Sequence, residues 1–281
     1  MEFQWYPGHM TKAKREMEED LKLVDLIIEL VDARLPSSSR NPDIASLGKQ
    51  KSRMILLNKA DMADEDATEK WIAYYRSQNY EALSIDARNG KNLKEIRSSI
   101  DRACREKIER DRKRGIKNRP IRAMVAGIPN VGKSTFINTF AGKGVAKTGN
   151  RPGVTRGRQW IRLNKSVELL DTPGILWPKF EDPEAGLRLA LAGSIKEELL
   201  PAEELSLKLI GILKKDYPGA LAKKYGIAED GDTAEMLGKL AENRGCIKKG
   251  NELDYQRAAT LLLDDFRNGR IGRITLERPE E

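Results

Sequence analysis

Histidine occurs once in this chain of 281 residues, at His9, and cysteine twice, at Cys104 and Cys246. Two cysteines make no disulfide framework, and no cysteine–histidine group has metal-ligand spacing. That usage suits a reducing cytosol. No apolar run approaches the roughly 20 residues of a membrane span, so no membrane role is expected. The opening Met1-Glu-Phe-Gln-Trp5 lacks the basic start and apolar core of a secretory leader, and the expected location is the cytoplasm. There is no internal repeat and no low-complexity tract.

Acidic residues are missing where basic ones gather. Lysine plus arginine number 51 against 43 acidic residues, a formal net charge of +8 with a pI near 9.3. Residues 143 to 165 hold Lys143, Lys147, Arg151, Arg156, Arg158, Arg162 and Lys165 and no acid. A second basic stretch runs from residue 104 to 122. Such segments neutralise phosphates by contact, with affinity that falls as salt rises. The plainer alternative is solubility together with attraction to a phosphorylated ligand.

One such ligand is written into the sequence. Gly127-Ile-Pro-Asn-Val-Gly132-Lys133-Ser134 follows the strand-like run Ile121–Ala126 and precedes apolar residues at helical spacing. Strand, glycine-rich loop and helix together make a phosphate-binding loop. Gly127 and Gly132 let the backbone N–H groups curl toward phosphate oxygens. Residues Asn130, Val131, Gly132, Lys133, Ser134 and Thr135 are the expected contacts. Lys133 reaches the β- and γ-phosphates, Ser134 offers its hydroxyl to Mg²⁺, and the helix start favours negative charge.

Asn58-Lys59-Ala60-Asp61 follows the run Met54–Leu57 and reads as a guanine selector. Asp61 accepts from N1–H and the 2-amino group, which adenine lacks, so adenine leaves an oxygen unpaired. Asn58 adds polar contacts, and the Lys59 stem lies over the base plane. Asp86-Ala87-Arg88 resembles the Ser-Ala-Lys loop that backs guanine, with two of three residues changed. Asp171-Thr-Pro-Gly174 follows another strand: Asp171 faces Mg²⁺ through water and the Gly174 N–H meets the γ-phosphate. Thr155, in Arg151-Pro-Gly-Val-Thr155, is the switch threonine that closes on Mg²⁺. Ile175 occupies the place of the water-orienting glutamine of Ras-like enzymes.

The order of these parts is unusual. Most guanine-nucleotide switches place the phosphate loop first and the base selector near the end; here the selector comes first. The order implies a circularly permuted GTPase domain over residues 1–178, a mostly parallel sheet flanked by helices with ligands at the strand C-termini. The connector Arg110-Asp-Arg-Lys-Arg-Gly115 carries the chain back to the phosphate-loop strand. Apolar residues from Leu93 to Ile108 predict one continuous helix before it. Residues 179–281 read as a small all-helical domain. Helices are expected at 184–191, 203–213, 233–242 and 252–268, the last with Tyr255, Ala258, Ala259, Leu262 and Phe266 on its apolar face. Arg244, Lys248, Lys249, Arg257, Arg267, Arg270 and Arg273 are candidates to face RNA, or an ordinary polar surface.

With Trp5-Tyr-Pro-Gly-His9-Met10 and Val31-Asp32-Ala33-Arg34 added to these motifs, the chain resembles the ribosome biogenesis GTPase A (YlqF/RbgA) family of circularly permuted GTPases over essentially its whole length. The resemblance implies a GTP-hydrolysing factor that helps finish the large ribosomal subunit. It binds rRNA in the GTP state, is released on hydrolysis, and has no DNA partner. It also makes His9 the candidate catalytic residue, orienting water or relaying a proton. A structural or RNA-stacking histidine beside Trp5 and Tyr6 is the other reading. Asn130 matches the asparagine that coordinates K⁺ in potassium-activated GTPases. Other RNA clients, such as a tRNA-modification partner, or regulation of a protein complex, remain as alternatives.

Overall fold

The computed structural model describes residues 15, 18–48, 50–116, 119–142, 159–163, 165–171, 182–195 and 201–279. Six strands make one sheet: β1 Leu26–Asp32, β2 Ser52–Asn58, β3 Glu81–Ser84, β4 Ile121–Ala126, β5 Gln159–Arg162 and β6 Val167–Asp171. Their spatial order is β3-β2-β1-β4-β6-β5. All neighbouring pairs are parallel except β5 with β6. Read cyclically from β4, the chain meets the phosphate-loop strand first and the base-selector strand near the end. That is the usual order of a guanine-nucleotide switch with its ends relocated.

The inner strands are almost continuously apolar because helices cover both faces. Side chains alternate across the sheet. Leu26, Ile28 and Leu30 of β1 join Met54, Leu56, Ile96, Ile100, Phe136 and Ile137 on one face. Ile27 packs with Leu21, Val24 and Ile44 on the other. Val31 meets Ile55, Leu57, Trp71 and Tyr75 there. In register, Asp32 lies opposite Asn58 and Val125 opposite Asp171, so the C-terminal ends of four parallel strands share one rim, with Asp32, Asn58 and Asp171 as its polar members. The direction of winding reverses between β1 and β4, the place where open α/β sheets bind ligands.

The expected helix through residues 93–108 is two helices, Glu95–Ala103 and Arg105–Lys113, divided at Cys104 (φ −101°, ψ 11°). The apolar period runs on across the break, which hides it. After the sheet, Pro183–Leu191 starts on an Asp182 cap with proline in its first turn. Leu189 goes to the sheet core, whereas Ala190 and Leu191 go to a second core. That second core gathers Ala202–Asp216, Thr233–Asn243 and Tyr255–Arg267. Asp232 and Glu235 form a capping box at the start of the second of these. The final helix begins at Tyr255, three residues later than expected, because Asp254 caps it; Tyr255 itself is exposed. The short helix Ala220–Tyr225 was not anticipated.

Beyond Gly269 the chain turns back onto the sheet as an irregular strap. Ile274 N donates to Met62 O and Leu276 N to Arg34 O. Trp71 Nε1 donates to Glu277 O at 3.1 Å. The Glu277 carboxylate accepts from Ser37 N, Ser38 N and Ser38 Oγ. Burial raises the Glu277 carboxyl, opposed by the Ser38 hydrogen bonds and the Arg188 charge. Among the described residues, no helix is long and apolar enough to cross a membrane.

Candidate functional site

The phosphate-loop backbone requires its glycines. Gly127 has φ +150° and a Cβ there would collide with Leu30 O; Gly132 has φ +99° and a Cβ would collide with the Asn58 amide. The helix Lys133–Ala141 starts directly on Gly132, with Phe136 and Ile137 buried beneath it. Ser134 and Thr135 of its first turn are partly exposed. Such a start binds anions through oriented N–H groups and partial positive charge.

Asn58 joins three motif segments that are far apart in sequence. Its Nδ2 donates to Val131 O at 2.8 Å, and its Oδ1 accepts from Ala87 N at 3.1 Å. Thr139 Oγ1, on the helix after the phosphate loop, donates to Ala87 O at 2.8 Å. The buried Asn58 amide is therefore a strut between base selector, phosphate loop and the Asp86–Ala87 turn. Asp86 is buried too, and its carboxylate accepts from Arg88 N, Asn89 N and Asn89 Nδ2, which fixes that turn. Asp61, by contrast, is exposed and its carboxylate makes no hydrogen bond to the described residues. It is open to a base edge.

Lys59 has a left-handed backbone (φ +62°), and its ammonium reaches Asp32 Oδ2 at 2.8 Å. Arg34 grips the same carboxylate through Nε and Nη2 at 2.9 and 2.8 Å. Burial alone would raise the Asp32 carboxyl, but the Arg34 and Lys59 charges hold it well below the usual carboxylate range.

Lys133 is buried and folds back on its loop, donating to Gly127 O and Ile128 O at 2.9 and 3.0 Å. Burial brings its ammonium down to about 8, against the opposing pull of Asp171. Burial raises the Asp171 carboxyl in turn, against the Lys133 charge. Asp171 Oδ1 is buried without a hydrogen-bond partner. An orphaned carboxylate oxygen fits a hard cation such as Mg²⁺, which takes one or two carboxylates plus phosphate oxygens and water.

A family model described as a 50S ribosome-binding GTPase matches residues 122–223. Ribosome biogenesis GTPase A of Bacillus cereus is 48% identical over 100% of this chain and 95% of its own length. Ribosome biogenesis GTPase A of Thermotoga maritima is 33% identical, covering 99% of this chain and 95% of itself. The crystal structure of GNP-bound YlqF from T. maritima superposes with a TM-score of 0.70 at 30% identity, covering 96% of this chain and 99% of that one. The chain belongs to the ribosome biogenesis GTPase A family. As a member it is a GTP-hydrolysing enzyme, and the permuted strand order is the family's architecture.

Within this ribosome biogenesis GTPase A chain, His9, Thr155 and Gly174 lie outside the described residues. Asn130 (φ +60°) points its amide at the helical part, Nδ2 donating to Gly193 O at 2.9 Å. Three of the arginines that could face RNA or form an ordinary polar surface donate to backbone carbonyls, Arg244 through Nη2 to Lys224 O at 2.6 Å. Arg267 donates to Leu191 O and Ala190 O. Arg273 donates to Ala63 O and Ala60 O and pairs with Glu65. Their guanidinium forks satisfy backbone carbonyls far away in sequence, which residue type alone does not reveal. Arg270 pairs with Asp265 at 3.2 Å but stays more than half exposed. Sequence reading also gave Asp32 and Arg34 no physical role. The signal was an acid–base pair at the C-terminal end of a buried strand, where ligands bind in such sheets.

Proposed function

We propose that this chain binds GTP between Lys133 and Asp61 and acts in the cytoplasm as an assembly factor for the large ribosomal subunit. The observation that carries the reading is the Asn58 strut, which holds the base selector against the phosphate loop and the Asp86–Ala87 turn. In this reading Gly132, Lys133, Ser134 and Thr135 hold the phosphates, with Asn130 and Val131 shaping the loop. Lys133 leaves Gly127 O and Ile128 O for phosphate oxygens. Asp61 selects guanine, the Lys59 stem covers its face, and Ala87 backs it. Ser134, Thr155 and Asp171 would hold Mg²⁺, which supplies charge neutralisation on the phosphates when bound. Gly174 contacts the γ-phosphate through its N–H.

His9 orients the attacking water, since Ile175 cannot. Asn130, whose Nδ2 donates to Gly193 O, would offer its amide oxygen to K⁺ in a potassium-assisted mechanism. The family relationship and the acid-free basic stretch from 143 to 165 support an rRNA partner. The name of the relatives supports ribosome assembly over a tRNA client or a protein complex. The 50S wording of the matched family favours the large subunit.

The test is co-sedimentation of the full chain with large subunits in GDP and in a non-hydrolysable GTP analogue. Binding gated by the analogue is expected. Equal binding in both nucleotides, or binding to tRNA alone, contradicts the assignment.

A further inference from the structure

The Asp32–Arg34 pair lies behind the base selector, yet nothing in the GTPase motifs assigns it work. Arg34 is buried to 1% exposure. Its Nε and Nη2 take both oxygens of Asp32, and its backbone N–H also donates to Asp32 Oδ1 at 3.1 Å. Its remaining nitrogen, Nη1, donates to Phe266 O and Arg267 O at 3.2 and 3.3 Å. Those carbonyls end the final helix, where the backbone favours a cation. The guanidinium carbon also sits 5.2 Å from the Phe266 ring centre. Every nitrogen of the fork is engaged, and one carboxylate is left to hold two cations.

A buried ion pair by itself is weak evidence for a stability role, because apolar residues of similar volume often replace one without loss. The second cation is what needs explaining. Lys59 Nζ lies on Asp32 Oδ2, the same oxygen that Arg34 Nη2 takes. Lys59 also has a left-handed backbone, which a side-chain-bearing residue keeps only when its surroundings hold it. Two residues on stands Asp61, whose negative charge is felt at Arg34. The set Asp32, Arg34, Lys59 and Asp61 is neutral overall, and only Asp61 faces outward.

We propose that Arg34 is a positioning residue for nucleotide binding: it fixes the Asp32 carboxylate so that Lys59 is held extended beside Asp61, and it anchors that arrangement to the end of the final helix. This rests on the reading of Asn58–Asp61 as the guanine selector. Without the Arg34 fork, Asp32 is free to turn about its side-chain bonds and the Lys59 ammonium loses its fixed partner. The Lys59 stem then no longer presents a flat apolar edge to a purine. The phosphate loop keeps its own supports, namely Gly127, Gly132 and Asn58.

The test separates base from phosphate. Calorimetry with Mg²⁺ measures GDP and inorganic pyrophosphate binding to the full-length chain, to Arg34→Lys, Arg34→Met, Lys59→Ala and the double variant Arg34→Lys/Lys59→Ala. Arg34→Lys keeps charge but loses the fork. It is expected to weaken GDP about tenfold to hundredfold, the range for losing a hydrogen bond to a charged group. Pyrophosphate binding stays unchanged. Arg34→Met is expected to weaken GDP more than Arg34→Lys does. The double variant binds GDP no more weakly than Lys59→Ala alone, because Arg34 acts through Lys59. Equal losses for GDP and pyrophosphate, or additive losses in the double variant, overturn the proposal. If Arg34→Met lacks a cooperative thermal transition, the Arg34→Lys and double-variant measurements decide alone. Asp61→Asn, titrated with GDP and xanthosine diphosphate, checks the selector reading independently: an unchanged preference there removes the premise rather than the role of Arg34.

Discussion

Replacing Asn58 with alanine tests whether one side chain joins the parts of the nucleotide pocket. The change removes the donor to Val131 O and the acceptor for Ala87 N, both in buried surroundings. Each backbone group left unsatisfied costs about 1–3 kcal/mol. Water entry and relaxation reduce the sum, so a loss of about 2–5 kcal/mol is expected. At roughly 2–4 °C per kcal/mol for a domain of this class, the melting temperature falls by about 4–20 °C. Nucleotide affinity falls as well, because the phosphate loop and the Asp86–Ala87 turn lose their common support. Thermal melting by circular dichroism and calorimetric titration with Mg²⁺–GDP read the two effects. Asn58→Asp is the sharper companion: it keeps an acceptor for Ala87 N but sets a carboxylate against Val131 O. It is expected to be at least as damaging as alanine. A shift under about 2 °C with unchanged GDP affinity would refute the strut.

Other outcomes follow from the same geometry. Burial lowers the Lys133 ammonium to about 8. A bound phosphate favours the charged ammonium, so binding near pH 8 draws in a fraction of a proton per nucleotide, and affinity falls as pH rises above that point. Calorimetry in buffers of different ionisation enthalpy measures the uptake; none in the wild-type chain, or the same uptake in Lys133→Ala, contradicts the assignment. Asp61→Asn is expected to shift preference from GTP toward xanthosine triphosphate, because an amide donates to a 2-oxo group; nucleotide competition reads it, and an unaltered preference excludes Asp61 as the selector. His9→Ala is expected to keep GTP affinity and to lower hydrolysis in the presence of large subunits by about 10²–10⁴-fold if it orients water; an unaffected stimulated rate assigns His9 to structure or RNA contact.

Much of the sheet was legible because parallel strands buried on both faces leave near-continuous apolar runs, as in Leu26–Val31 and Met54–Leu57. The phosphate loop was legible because its glycines answer to steric demands that other residues cannot meet. What stayed hidden depends on contacts between distant segments. Asn58 reads in sequence as a ligand residue, yet its amide is engaged by Val131 and Ala87. Arg267 and Arg273 look like solvent-facing charges until their carbonyl partners are brought near. Ala220–Tyr225 is too short to show a period, and the left-handed Gly219 and Gly226 bracket it. The strap after Gly269 has no regular hydrogen-bond pattern of its own, and its partners Arg34, Met62 and Trp71 lie in the first third of the chain.

A crystal structure of the chain with GDP and Mg²⁺ bears most directly on the idea that permuted segments close around one ligand. The diphosphate is expected on the Gly127–Ser134 loop with Lys133 drawn off its carbonyls, the metal near Asp171, and the guanine edge on Asp61. A guanine ring bound away from Asp61, or phosphates bound elsewhere than on that loop, would contradict that idea.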